Sequence, residues 1–258
     1  MNLFADPPQG KARVTGGLLG VAGAEAWRGV PGSFEADGPV TTALLDLCRS
    51  YTSFGGDDSP VNVAARHQGV PGSAWLLPIP VALSGRRVID ETLELATAAG
   101  ATPDVLDAHL TYVTLAAELL AARPVEQAIE TATCKPFASV VDRATQRAGG
   151  TEPSRPRLVG IAAIDAVNAG IWALTQSRYL LATLAASLAH WCEPWVAAAA
   201  AGLLGLRDGC ASVPAQWYRR VRAAQECLAL APALLRVDAG LRARSLIGIA
   251  SPASSIAS

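Results

Sequence analysis

Apolar side chains recur with the period of an α-helix along most of the chain. In the segment from residue 103 to 122 they fall on one face, at positions i, i+4, i+7, i+11 and i+14: Leu106, Leu110, Val113, Ala117 and Leu120. Thr102 and Pro103 precede this segment as a capping hydroxyl and a first-turn proline, and Gly100 is placed to end the helix before it. The pattern predicts a helix over 103–122 with one face packed in a core.

Eight further segments carry helical signals, whereas no segment shows the period-two alternation of a half-buried strand. We expect these helices over about 12–26, 40–50, 88–99, 124–148, 158–176, 178–192, 195–207 and 214–236. The predicted fold class is therefore all-α, a compact single domain over 13–236. Residues 1–12 are expected to form an N-terminal extension, and residues 237–258 a C-terminal segment that frays from Ser251 onwards.

Two stretches rich in glycine, proline and polar residues interrupt the helices. Residues 52–73 are predicted to form one long loop, and loops of that length in compact domains are usually functional or mobile. Residues 149–157 are predicted to be a polar linker between two helical halves, neither of which looks self-sufficient. The first stretch is therefore a candidate wall of a functional site.

Composition and charge narrow the class of partner. The 51% share of hydrophobic residues among 258 excludes a disordered chain, and 21 basic against 22 acidic residues excludes a general nucleic-acid or anionic-membrane binder. Mean hydropathy is high at +0.29. Charged residues nevertheless cut the apolar runs before the roughly 20 residues that a membrane span needs, among them Asp165, Arg178, Glu193 and Arg207. We expect a small-molecule or protein partner.

The five cysteines have no zinc-binding spacing and are odd in number, which is typical of reduced thiols in a core. The first ten residues lack a basic stretch followed by an apolar run, so they do not read as a secretory signal. The expected location is therefore cytoplasmic. A homodimer through an alanine-rich helix face is plausible from the apolar surplus.

Four segments, in order, resemble motifs of the ADP-ribosylglycohydrolases. Residues 13–26 resemble that family's first helix, R-x-x-G-A-L-L-G-L-A-x-G-D-A-L-G, and match it without a gap at Arg13, Gly16, Leu18, Leu19, Gly20, Ala22 and Ala26. Residues 71–83 are similar to its glycine segment and the P-L-A-L that follows, and residues 101–104 to its T-H-P-D helix start. Residues 196–217 resemble a late motif through the spacing of Gly205, Gly209, Pro214 and Trp217.

The resemblance implies an all-α fold, a cleft built from helix ends and a substrate with an ADP-ribose or ribosyl group. Family members hold two magnesium ions on two aspartate pairs, in T-D-D-T and G-G-D-T-D-T motifs. Here Val40, Thr41, Cys192 and Pro194 stand at the four aspartate positions, and Thr42 alone keeps its motif residue in the first motif. The alignment therefore implies that no metal and no cofactor is held in the family manner.

Three carboxylates are candidates for a metal-independent reaction at a ribose, which needs charge stabilisation and a base for water. Glu25 replaces the aspartate of the family's G-D-A-L-G, and Glu35 and Asp37 follow the position of the family's glutamate, which is Gly32 without a gap. The alternative for Glu25 is a structural charge at a helix end. For Glu35 and Asp37 it is a solvated loop carboxylate.

The candidate binding residues are Thr42, Gly72, Ser73, Ala74, His190, Trp191 and Trp195. Small residues at 72–74 let backbone N–H groups approach a phosphate or ribose, although an ordinary turn has the same composition. Trp191 and Trp195 stand where the second metal motif stood, and either fill the core or stack on a ring. An aspartate pair at Asp57 and Asp58 leaves open a cation site elsewhere, against a solvated turn.

Two functions remain in view at this point. The first is a metal-independent hydrolase of an N-glycosidic bond in a ribosyl or phosphoribosyl small molecule. The second is an inactive family member that binds an ADP-ribose-like ligand or a protein partner. Fold resemblance alone does not separate them, because one fold hosts many functions.

Overall fold

A computed structural model of the chain describes residues 7–27, 37–52, 58–134, 156, 158–176 and 192–249. The described part consists of α-helices, two short 3-10 helices and loops, with no β-strand. In chain order the helices are α1 Pro7–Ala26, α2 Pro39–Thr52, α3 Pro60–Arg66, α4 Pro78–Ala82, α5 Arg86–Ala98, α6 Pro103–Leu120, α7 Val125–Thr133, α8 Ala162–Thr175, α9 Pro194–Asp208, α10 Ala215–Arg220 and α11 Ala224–Ile249. The 3-10 helices are Ala74–Leu76 and Cys210–Ser212. The all-α prediction is confirmed.

Helix α1 forms its most extensive contacts with α9, and α9 in turn packs on α8. Glycines hold α1 and α9 backbone to backbone: a Cβ at Gly205 would lie 2.0 Å from the carbonyl oxygen of Gly16, and one at Gly20 would lie 2.3 Å from that of Ala201. The Arg13 guanidinium donates to the carbonyl oxygens of Leu119, at 2.8 Å, and Leu206, at 3.3 Å. These contacts fix α1 against the ends of α6 and α9.

The predicted long loop over 52–73 is wrong in its middle, where α3 forms. Ser59 caps this helix because its side chain accepts a hydrogen bond from the Asn62 N–H at 3.2 Å, and Pro60 occupies the first turn. The sequence contained this capping signal, but the surrounding glycines and prolines obscured it. Residues 53–57 lie outside the described residues.

Other helix boundaries also differ from the predictions. Helix α1 begins at Pro7, within the predicted extension, and the predicted helix over 214–236 is two helices separated at residues 221–223. Helix α8 begins at Ala162 because Asp165 accepts the N–H groups of Val159 and Gly160, which keeps those residues outside the helix. Helix α7 ends at Thr133, and the rest of the predicted 124–148 helix lies outside the described residues.

Residues 178–191 of the predicted 178–192 helix also lie outside the described residues, as do nearly all of the predicted linker and the tail from Ser251. In the part of the chain that the structure does describe, no helix combines the length and apolarity needed to cross a membrane. All five cysteines are free thiols.

Candidate functional site

A cavity of about 260 Å³ opens between the loop that precedes the first 3-10 helix and the N-terminal ends of α6 and α8. We call it the His109 cavity. Its lining includes Gly72, Trp75, Thr102, Val105, His109 and Ala162. No charged side chain is among the described residues that line it. It therefore offers a ligand an uncharged environment with a small number of polar groups.

The structure brings two of the predicted binding elements together at this cavity. Gly72 has a φ of +76°, a left-handed conformation that favours glycine, and it starts the turn into the 3-10 helix. A Cβ at Gly72 would lie 3.7 Å from Trp195 Cδ1 and 3.6 Å from the Ala166 Cβ. Trp195, in the first turn of α9, is thus a neighbour of the predicted 72–74 segment. Ser73 and Ala74 are fully buried.

His109 is the polar centre of the cavity. Its Nδ1 is hydrogen-bonded to Ser73 Oγ at 2.9 Å, and its ring meets that of Trp75 edge to face, with 6.2 Å between centroids. Burial lowers the pKa of His109 to about 4, so the imidazole is neutral at pH 7. The sequence pattern did not predict this pair, because the two residues are far apart in the chain. The available signal was the position of His109, four residues after Val105 and seven after Thr102 on one helix face.

Trp75 contributes an unused hydrogen-bond donor. Its side chain is 1% exposed, and its Nε1 has no hydrogen-bond partner among the described residues. Buried indole N–H groups usually find a partner, because an unsatisfied one loses its hydration without compensation. An acceptor on a bound molecule would remove this cost.

Glu25 lies elsewhere, at the start of α2. Its carboxylate is buried and accepts two backbone N–H groups, that of Val40 on Oε1 at 3.0 Å and that of Thr41 on Oε2 at 2.6 Å. These are the donors that an N-cap side chain normally satisfies, and the N-cap residue here is Gly38, which has no side chain. A Cβ at Gly38 would lie 2.3 Å from Glu25 Cδ. Glu25 therefore acts as the cap of α2, and both its oxygens are engaged.

Asp37 lines a second cavity, of about 350 Å³, together with Thr42. We call it the Asp37 cavity. It shares no described lining residue with the His109 cavity. Thr42 is exposed there, and its Oγ1 donates to the Gly38 carbonyl oxygen at 2.9 Å. The structure thus separates Asp37 and Thr42 from the predicted 72–74 segment. Glu35, His190 and Trp191 lie outside the described residues.

A scan against protein-family models gives no match, and neither does a search of curated proteins. Among solved structures, the chain is similar to one described as "ADP-ribosylglycohydrolase-related protein complex", with a TM-score of 0.70 and 18% identity. The similarity covers 89% of this chain and 99% of that chain. The chain has an ADP-ribosylglycohydrolase-like fold. At this identity, the likeness extends to the fold alone.

The residues at the family's magnesium positions do not fit that metal centre. Val40 and Pro194 offer no side-chain ligand atom, and Thr41 is fully buried with an Oγ1 that has no partner among the described residues. Burial and the nearby Asp165 raise the pKa of Cys192 to about 11, which keeps the thiol protonated. One neutral hydroxyl does not replace the oxygen ligands of two hard divalent cations.

The alternative cation site at Asp57 and Asp58 also gains no support from the described residues. Asp58 is exposed and pairs with Arg66, which donates to its carboxylate at 2.6 Å, and Asp57 lies outside the described residues. Within the described ranges, no group of three or more His, Cys, Asp or Glu side chains is placed to hold a metal ion.

Proposed function

We propose that this chain is a ligand-binding protein with an ADP-ribosylglycohydrolase-like fold, and that its His109 cavity takes an uncharged ring of a ribosylated small molecule. The observation that carries the proposal is that Trp75, whose buried Nε1 has no partner among the described residues, lines a cavity without charged side chains. The ribosyl class of ligand comes from the sequence resemblance and from the name of the structural neighbour.

Cavity size supports a ligand part no larger than one ring. Ligand pockets for drug-sized molecules span roughly 300–1,000 Å³. The His109 cavity, at about 260 Å³, is below that range. A ribose or a single heteroaromatic ring fits such a volume better than a whole dinucleotide. Because no described lining residue is charged, any phosphate of the ligand is expected to remain outside the cavity.

Binding is favoured over hydrolysis by the position of the carboxylates. Glu25 has both oxygens bound to the start of α2, and Asp37 lines a different cavity. No described carboxylate lines the His109 cavity to activate water. Metal-independent hydrolysis stays a prediction of the sequence resemblance, and turnover by this chain would overturn the binding-only proposal.

The test is a thermal-shift titration with adenosine, ribose 5-phosphate and ADP-ribose, each with magnesium and with EDTA, followed by mass spectrometry of the probe. Ligands that bind the folded state raise the melting temperature by mass action. We expect adenosine to stabilise the chain about as well as ADP-ribose, without magnesium and with no change in mass. No shift with any probe contradicts the ligand class, and a mass loss contradicts the absence of catalysis.

A matched pair of variants locates the site. Trp75→Phe keeps an aromatic ring but removes the N–H, and should weaken binding about 2–10-fold, the usual worth of one hydrogen bond. Trp217→Phe makes the same change in another buried indole, in α10, outside the cavity, and should leave affinity unchanged. Equal losses in both variants would exclude the His109 cavity as the site.

A further inference from the structure

The Asp37 cavity, between the start of α2 and the region where α11 begins, has a different chemistry from the His109 cavity. Four charged side chains line it: Asp37, Arg49, Arg222 and Glu226. Leu45 and Ala223 supply apolar surface beside them. A cavity of about 350 Å³ with both signs of charge is suited to a ligand that also carries both.

Two of the four charges already neutralise each other. The Arg49 guanidinium donates to both oxygens of Glu226, from Nε at 2.6 Å and from Nη2 at 2.8 Å, and its Nη1 donates to Asp46. The hydrogen bond with Glu226 is the main reason that the pKa of Arg49 is raised. This bidentate pair is a wall of the cavity and leaves neither partner free for a ligand.

Neither of the other two charged groups forms an ion pair with a described residue. Asp37 Oδ1 is buried and has no hydrogen-bond partner among the described residues, although buried carboxylate oxygens are normally satisfied. Arg222 is exposed and makes no hydrogen bond or ion pair with any residue that the structure describes. An anionic and a cationic group thus line one cavity without pairing with each other.

We propose that the Asp37 cavity binds a small aliphatic zwitterion, with its ammonium on Asp37 and its carboxylate on Arg222. Guanidinium groups match carboxylates geometrically, and an ammonium supplies the donor that Asp37 Oδ1 lacks. The methylene chain between the two groups lies against Leu45 and Ala223. This site does not depend on the proposed function of the His109 cavity, because the two cavities have separate walls.

The test uses a series of amino acids whose two charges are progressively further apart: glycine, β-alanine, 4-aminobutanoate and 6-aminohexanoate. Calorimetric titration of the full chain measures each affinity, with butylamine and butanoate as probes that carry one charge only. We expect one chain length to bind at least about tenfold more tightly than either single-charge probe, because two charge-assisted contacts add. The proposal is overturned if no amino acid exceeds the single-charge probes.

Variants separate this site from adventitious binding. Asp37→Asn and Arg222→Gln should each weaken the best amino acid by at least about tenfold. Arg219→Gln, an exposed arginine in α10 that does not line the cavity, is the matched control and should leave affinity unchanged. Asp37→Asn should fold as stably as the parent, because it removes a buried carboxylate with an unpartnered oxygen. Unchanged affinity in Arg222→Gln would refute the assignment.

Discussion

Glu25→Gln tests whether the Glu25 carboxylate holds the start of α2 in place. The side chain is 6% exposed and accepts the N–H groups of Val40 and Thr41. A glutamine of the same shape keeps one acceptor and turns its own NH₂ group toward the other backbone donor. The charge-assisted bonds are thereby replaced by one neutral bond and one buried N–H without an acceptor.

The magnitude follows from these two contacts. Hydrogen bonds to charged groups contribute about 1.5–3 kcal/mol each, and an unsatisfied buried donor costs about 1–3 kcal/mol. Since one bond survives in neutral form, we expect the free energy of unfolding to fall by about 2–4 kcal/mol. At about 2–4 °C per kcal/mol for a chain of this size, the melting temperature should fall by about 5–15 °C.

Urea unfolding followed by far-UV circular dichroism measures this loss. Glu94→Gln is the control, because Glu94 is an exposed residue within α5 and the same chemical change there should stay within about 0.5 kcal/mol. If Glu25→Gln were as stable as Glu94→Gln, the capping role would be refuted. The catalytic role predicted from the sequence would then regain support, provided that the stable variant had lost turnover.

Three further predictions follow from single contacts. Gly205→Ala should lower the free energy of unfolding by about 3 kcal/mol or more, because the new Cβ would collide with a carbonyl oxygen of α1. Gly85→Ala should lower it by only about 1 kcal/mol, because Gly85 has open space around it and only its φ of +62° opposes a side chain. Urea titration of both variants measures the two losses. Thr41→Val should stabilise the fold by about 1 kcal/mol in the same assay, because Thr41 Oγ1 is buried without a partner among the described residues. The control is Thr92→Val, because the Thr92 hydroxyl donates to a helix carbonyl oxygen at 2.6 Å. A similar gain in stability in Thr92→Val would contradict the reason given for Thr41. Because burial lowers the pKa of His109 to about 4 and the unfolded chain takes up the proton near pH 6.5, stability should fall as pH drops through this window, by about 2–4 kcal/mol. His109→Gln should remove most of that pH dependence in urea titrations between about pH 7 and about pH 4.5. If the parent and the variant lost the same stability over this range, His109 would not be the group responsible.

The sequence was sufficient to predict the all-α class and the positions of several helices. Helix α6 runs over Pro103–Leu120, close to the predicted 103–122, and begins with the predicted first-turn proline. Thr102 is its N-cap residue, but the Thr102 side chain makes no capping hydrogen bond. Burial also extends beyond the predicted face, to Tyr112 and Leu115 among others. Helix α3 was missed because a seven-residue helix has too few positions to show a period. Asp165 moved the start of α8 through side-chain bonds to residues before the helix, which no apolar pattern encodes.

The candidate site was less predictable, because it depends on contacts between residues distant in sequence. The proximity of Gly72 and Trp195 follows from how α9 packs, which the motif spacing did not specify. The Ser73–His109 pair joins residues from a loop and a helix, and neither residue had a recognisable partner in the sequence. A structural charge at a helix end was one of the two predictions for Glu25, but only the structure identifies α2 as the helix that it caps.

The glycine contact between α1 and α9 has a consequence for synthesis of the protein. The two helices are far apart in the chain, so α1 leaves the ribosome long before the residues that cover it exist. At about 5–20 residues per second, α9 follows α1 by on the order of 10–40 s. During that interval the surface of α1 that packs on α9, including Gly16 and Gly20, has no native cover. The nascent chain is therefore expected to need a chaperone, or a temporary contact with its own early helices, until α9 emerges.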